Sequence, residues 1–123
     1  MILKIDEKSN LANYLQLMNQ IKEKIFLGEL TINDQLPSIR VLAKDLNIAI
    51  ITVKRAYDEL EKEGFIETRQ GKGCFVKKLH LDQLKEKKLL EIEKNLNEII
   101  HDAKQFGLSD LEITNLIKKI LEE

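Results

Sequence analysis

Apolar residues recur at three- and four-residue spacing from Asn10 to Leu27, at Leu11, Tyr14, Leu15, Leu17, Met18, Ile21, Ile25 and Phe26. That period predicts an amphipathic helix, with Ser9 as its N-cap and Gly28 just beyond its end. Asn33-Asp34 is a turn signal, because both side chains tolerate unusual backbone angles. Pro37, the only proline, holds Leu36 extended, so a second helix can begin only after it, with Ser38 as cap. That helix covers Ile39 to Leu46, and Asn47 can take the left-handed conformation that stops it. A third helix follows from Ile50 to Glu63, with Val53, Ala56, Tyr57 and Leu60 along one stripe and Gly64 as terminator.

The period then changes. Two short β-like runs, Phe65 to Thr68 and Cys74 to Lys77, flank Arg69-Gln70-Gly71-Lys72-Gly73, which predicts a hairpin with a basic tip. After Lys78 the helical period returns. Leu89, Ile92, Leu96, Ile99, Ala103 and Phe106 alternate at three and four residues, a coiled-coil-like seam. Gly107 interrupts it, and Ser109 with Glu112 predicts a capping box for a last helix bearing Ile113, Leu116, Ile117 and Ile120. The expected architecture is mainly α with a small β-hairpin. It comprises a winged helix-turn-helix over residues 1–78 and a helical hairpin over residues 79–123. The expected core of the first part is Leu17, Ile21, Ile25, Leu42, Leu46, Val53, Tyr57, Leu60 and Phe75.

Composition narrows the function. The 123 residues are 43% hydrophobic and 33% charged, which suits a small domain with a well-solvated surface. No apolar run approaches the roughly 20 residues of a membrane span, no secretory signal opens the chain, and a single cysteine forbids an intrachain disulfide. These features point to a cytoplasmic protein without a membrane partner. The net charge of −1 is unevenly spread. Residues 31–78 carry 9 basic and 7 acidic side chains, whereas residues 79–123 carry 7 and 10. The middle segment is the one suited to phosphate.

In a helix-turn-helix the second helix of the pair can lie in the major groove of double-stranded DNA. With the stripe Val53, Ala56, Tyr57, Leu60 turned inward, Ile51 and Arg55 point most nearly outward, flanked by Thr52 and Lys54. Ser38 and Arg40 would face backbone or base edges from the start of the preceding helix, whose free amides also suit phosphate. Arg69, Gln70 and Lys72 would reach the adjacent minor groove or phosphates.

The stretch "LPSIRVLAKDLNIAIITVKRAYDELEKEGFIETRQGKGCFV" resembles the DNA-binding domain of GntR-type transcription regulators. Upstream, "YLQLMNQIKEKIFLGEL" is similar to that family's first helix through Tyr14, Gln16, Gln20, Ile21 and Gly28. The short helical tail resembles the YtrA-like branch, which carries a small dimerisation appendage. The resemblance implies DNA contact at Arg40, Thr52, Lys54, Gln70 and Gly71, and a repressor that controls transporter genes. The chain departs from the family at Ala49-Ile50-Ile51, where polar, proline or basic residues are usual, and at Cys74, commonly threonine. Hydrogen-bond readout by those three side chains is excluded. Apolar contact remains, for instance with thymine methyls.

No catalytic group stands out. His80 and His101 lack metal-ligand spacing, Glu59 and Glu63 are helix-face charges, and no cofactor is expected. The tail seam must be buried somewhere, against its own last helix, a second copy, or both; a homodimer is the expectation. Two helices leave little room for a dedicated metabolite cavity of ~300 Å³ or more, which leaves a groove at the dimer interface as the place for a small-molecule effector. The expected function is therefore a sequence-specific regulator binding an inverted-repeat operator as a homodimer. The alternatives are a winged-helix protein-interaction module, and a ligand- or redox-responsive sensor acting through the dimer interface or Cys74. Ordinarily such a lone cysteine is simply a small half-buried strand residue.

Overall fold

The computed structural model describes residues 2–123. The chain forms two compact units, one ending at Leu79 and the other running His80–Glu123. In the first, helices α1 (Asn13–Phe26), α2 (Ile39–Leu46) and α3 (Ile50–Lys62) precede strands β1 (Ile66–Arg69) and β2 (Gly73–Val76). Helix α3 is the hub: α1, α2 and β1 all pack on it. Leu17, Ile21, Val53, Leu60, Ile66 and Val76 are fully buried between these elements.

Helix α1 starts later than its apolar period implies. Its N-cap is Ala12, with no side-chain bond, and Ser9 instead accepts from the Leu11 amide at 3.1 Å. Leu11 is exposed, outside the helix. The cause is Gln16, only 8% exposed. Its Nε2 donates to the carbonyls of Asp6 (3.0 Å) and Leu11 (2.9 Å), while its Oε1 accepts from the Asp6 amide at 2.8 Å. One turn further, Gln20 makes the same two-way exchange with the Lys4 backbone. Two glutamines at i, i+4 thus act as surrogate backbone for an arm that buries Leu3, and the arm holds residues 9–12 out of the helix.

The other ends follow the residues. Ser38 Oγ accepts from the Val41 amide at 3.2 Å and caps α2. Asn47 stops that helix at φ 54°, ψ 49°, with its amide on Lys44 and that of Ile48 on Ala43, a Schellman arrangement. The strands are shifted by one residue from the expected runs. Phe65 is spent on ending α3, its amide donating to Leu60, so Arg69 and Gly73 become a cross-strand pair and the tip shrinks to Gln70-Gly71-Lys72. Residues 33–36 line the free edge of β2, through Asn33 N to Val76 O, Val76 N to Asp34 O and Leu36 N to Cys74 O. Phe75 and Leu46, expected in the core, are half-buried; Phe75 lies on the outer face of the hairpin with Glu67.

The second unit is α4 (Leu81–Gln105) and α5 (Asp110–Glu122), joined at Gly107. The capping box forms: Ser109 Oγ accepts from the Glu112 amide, and Glu112 Oε1 accepts from the Ser109 amide. Neither helix has a buried residue. Along the seam Leu89, Ile92, Leu96, Ile99 and Phe106 are exposed, the last at 88%. Half-burial is found at Ile100, Ala103, Leu108 and Ile113, around the turn, and at Leu81 and Leu84 in the first turn of α4. The last helix therefore leaves the seam uncovered.

Gln16→Leu keeps the side chain's bulk but orphans three backbone groups. It is expected to cost about 1–3 kcal/mol in urea unfolding, and to expose the amide of Asp6 to rapid hydrogen exchange. Unchanged stability and protection would show that Leu3 alone holds the arm.

Candidate nucleic-acid interface

The buried stripe of α3 dictates its outer face. Ile51, Lys54 and Asp58, at i, i+3 and i+7, are exposed, as is Ile50 in the first turn; Thr52 is half-buried. Lys54 Nζ pairs with Asp58 Oδ2 at 2.7 Å. That hydrogen bond, and then the carboxylate's charge, raise the lysine's pKa above its ordinary value, so it stays cationic. Arg55, expected to point outward, is exposed, but its guanidinium stacks 3.8 Å from the centre of the Tyr14 ring, towards α1.

The start of α2 is held from α3. The Tyr57 hydroxyl donates to the Pro37 carbonyl at 2.7 Å, fixing the extended residue that precedes the Ser38 cap. Burial pushes the Tyr57 phenol well above its ordinary value of 10.0. Ser38, Arg40 and Lys72 border one open cleft of about 330 Å³ between the start of α2 and the hairpin tip. Among the described residues neither Arg40 nor Lys72 forms an ion pair.

The hairpin is braced where it meets that cleft. Gln35 Nε2 donates to the Lys72 carbonyl at 2.9 Å and passes so close to Gly73 that a Cβ there would sit 2.9 Å from it. Gly73 also has φ +110°, so this position accepts glycine alone without strain. Gln70 and Gly71 are exposed at the tip. Arg69 is not. It is half-buried over the Phe75 ring, 4.1 Å from its centre, and bonded to Glu67 and to Asn33 Oδ1 at 2.7 Å. Its charge serves the hairpin first.

Sequence patterning had no view of three features: the Tyr14 ring under Arg55, the Gln35 brace and the exposed Val41 on α2. The Lys54–Asp58 pair was missed as well, although its i, i+4 spacing is a signal that the sequence carries. Cys74 is half-buried and faces Thr68, its Sγ 3.6 Å from Thr68 Oγ1. No group of three or more His, Cys, Asp or Glu among the described residues could hold a metal ion. No helix there is long and apolar enough to cross a membrane.

Comparison with known proteins agrees with this geometry. The family described as bacterial regulatory proteins, gntR family, matches residues 13–76. The chain is 35% identical to the HTH-type transcriptional repressor YtrA of Bacillus subtilis over 97% of its own length and 92% of the relative's. A solved GntR family transcriptional regulator from Listeria monocytogenes superposes with a TM-score of 0.69 at 30% identity, covering 94% of this chain and 98% of that one. YtrA from Sulfolobus acidocaldarius, a GntR-family transcription factor, gives 0.64 at 38% identity over 79% and 99%.

Tyr57→Phe removes the one bond from α3 to Pro37 and should lower stability by about 0.5–1.5 kcal/mol at neutral pH. Because the folded phenol titrates above the unfolded one, the native protein should also lose stability as pH rises past 10.0, when the unfolded chain ionises first. Denaturant melts between pH 9 and 11 should show that slope reduced in Tyr57→Phe. An equal slope in both proteins would place the ionisation elsewhere.

Proposed function

The chain belongs to the gntR family of bacterial regulatory proteins, and on that premise we propose that it is a homodimeric repressor acting in the cytoplasm on an inverted-repeat operator. It is a DNA-binding transcription regulator, and its relatives are regulators rather than enzymes. In the proposed complex α3 lies in the major groove, with Thr52, Lys54 and Ile51 towards the bases. Ser38 and Arg40 approach from the start of α2, and the wing tip Gln70-Gly71-Lys72 meets the neighbouring backbone. Arg55 and Arg69 act mainly by holding α3 against Tyr14 and the hairpin against residue 33. The docked DNA would compete with Asp58 for Lys54.

The observation that carries the dimer is the uncovered seam of α4, with Leu116, Ile117 and Ile120 exposed on α5. Such a contiguous apolar surface is a burden on a lone chain and an asset at an interface. A second copy supplies matching surface, the tail of each protomer carrying one winged unit to its own half-site. Occupying the operator is then enough to block transcription, which agrees with the repressor role of the Bacillus subtilis relative.

Arg40→Ala is expected to weaken operator binding by roughly tenfold or more while the protein stays folded, as loss of a base-edge contact would. Lys54→Ala should do the same, whereas Lys72→Ala should instead lower the dependence of log affinity on log salt by about one, the mark of a lost phosphate contact. Wild-type affinity and salt slope in all three would place the DNA on another face.

The full-length chain should sediment as a dimer at micromolar concentration, and footprint two half-sites one helical turn, or a multiple, apart. Ile92→Asp combined with Ile99→Asp should give folded monomers that bind the operator about 10²–10⁴-fold more weakly, since the second contact is no longer intramolecular. A wild-type monomer protecting one half-site, or a protein with no salt-sensitive DNA binding, would overturn this reading, the latter in favour of a protein-interaction module.

A further inference from the structure

The head of the recognition helix has an unusual chemistry. Ala49, Ile50 and Ile51 are three consecutive side chains without a hydrogen-bonding atom, and α3 starts at Ala49 with no side-chain cap. The two isoleucines do not serve the core: Ile50 is 51% and Ile51 75% exposed, while the buried stripe begins only at Val53. Val41, in the first turn of α2, is exposed as well. Ile50 and Ile51 adjoin Thr52 and Lys54 on the same helix, so whatever docks on those residues meets the isoleucines too.

Base edges in the major groove are hydrogen-bond donors and acceptors with one apolar exception, the C5-methyl group of thymine. A surface with no polar atom has no other partner there. We propose that Ile51, supported by Ile50, is a specificity-determining residue that reads thymine through its 5-methyl group, selecting T·A pairs under the head of α3 in each half-site. The inference rests on the regulator reading above. Its free energy is that of burying a methyl group and the isoleucine surface around it, equivalent to about fourfold in affinity per methyl.

The test uses the full-length protein and the operator it selects from a random DNA pool. Each thymine is replaced singly by deoxyuridine, which keeps every hydrogen bond and removes only the methyl group. One or two adjacent thymines per half-site should each weaken wild-type binding about fourfold on replacement. Ile51→Ala, folded by circular dichroism and still dimeric, should bind the thymine and uracil operators equally. Three outcomes overturn the proposal: uracil tolerated at every position, Ile51→Ala as sensitive to uracil as wild type, or half-sites without thymine. In each of these, sequence-specific binding by the wild type leaves the regulator reading standing. Absence of any sequence preference overturns both.

Discussion

Everything in the first unit depends on one stripe of side chains. Val53, Ala56, Tyr57 and Leu60 give α3 a single buried face, against which α1, α2 and β1 all pack. A helix committed on one side has no choice about the other. At about 100° per residue the stripe leaves Ile51, Lys54 and Asp58 facing water. Tyr57 carries the constraint further, because its hydroxyl also holds the Pro37 carbonyl and so ties the start of α2 to α3. The exposed face of α3 is thus a by-product of core packing. A docking face built this way is rigid before any partner arrives, which spares ordering entropy on binding.

The positive charge of the middle segment is less available than its count suggests. Arg55 lies on Tyr14, Arg69 on Phe75 between Glu67 and Asn33, and Lys54 is paired with Asp58. The Lys54–Asp58 arrangement costs little, because exposed pairs are weak and readily exchanged. The arrangements do divide the cations into two groups. Arg40 and Lys72 are open at the cleft, whereas Arg69 is built into the hairpin. Sequence alone ranked these residues together.

The tail poses the opposite problem. Both helices are well formed, with a complete capping box at Ser109 and a Schellman turn through Gly107 and Leu108, yet nothing in either is buried. Local signals are satisfied and the hydrophobic ones are not. That imbalance is the physical ground for assigning the seam to a second chain, since helices of this length draw most of their stability from packing an apolar face.

Element type and order were legible because they depend on local periodicity: α2 and the start of α3 follow from Pro37, Ser38 and Asn47, and the capping box from Ser109 and Glu112. Each of these rests on contacts within five residues. Four features needed the tertiary structure: the late start of α1, the edge pairing of residues 33–36, the Gln35 brace and the withdrawal of Arg69. Each is a contact between residues at least ten positions apart, or follows from one. A glutamine that stands in for backbone looks, in sequence, like any solvated polar residue on a helix. Period and caps therefore determined what the elements are. Long-range hydrogen bonds and ring stacking decided where they end and which side chains remain free, because those contacts have no spacing to announce them.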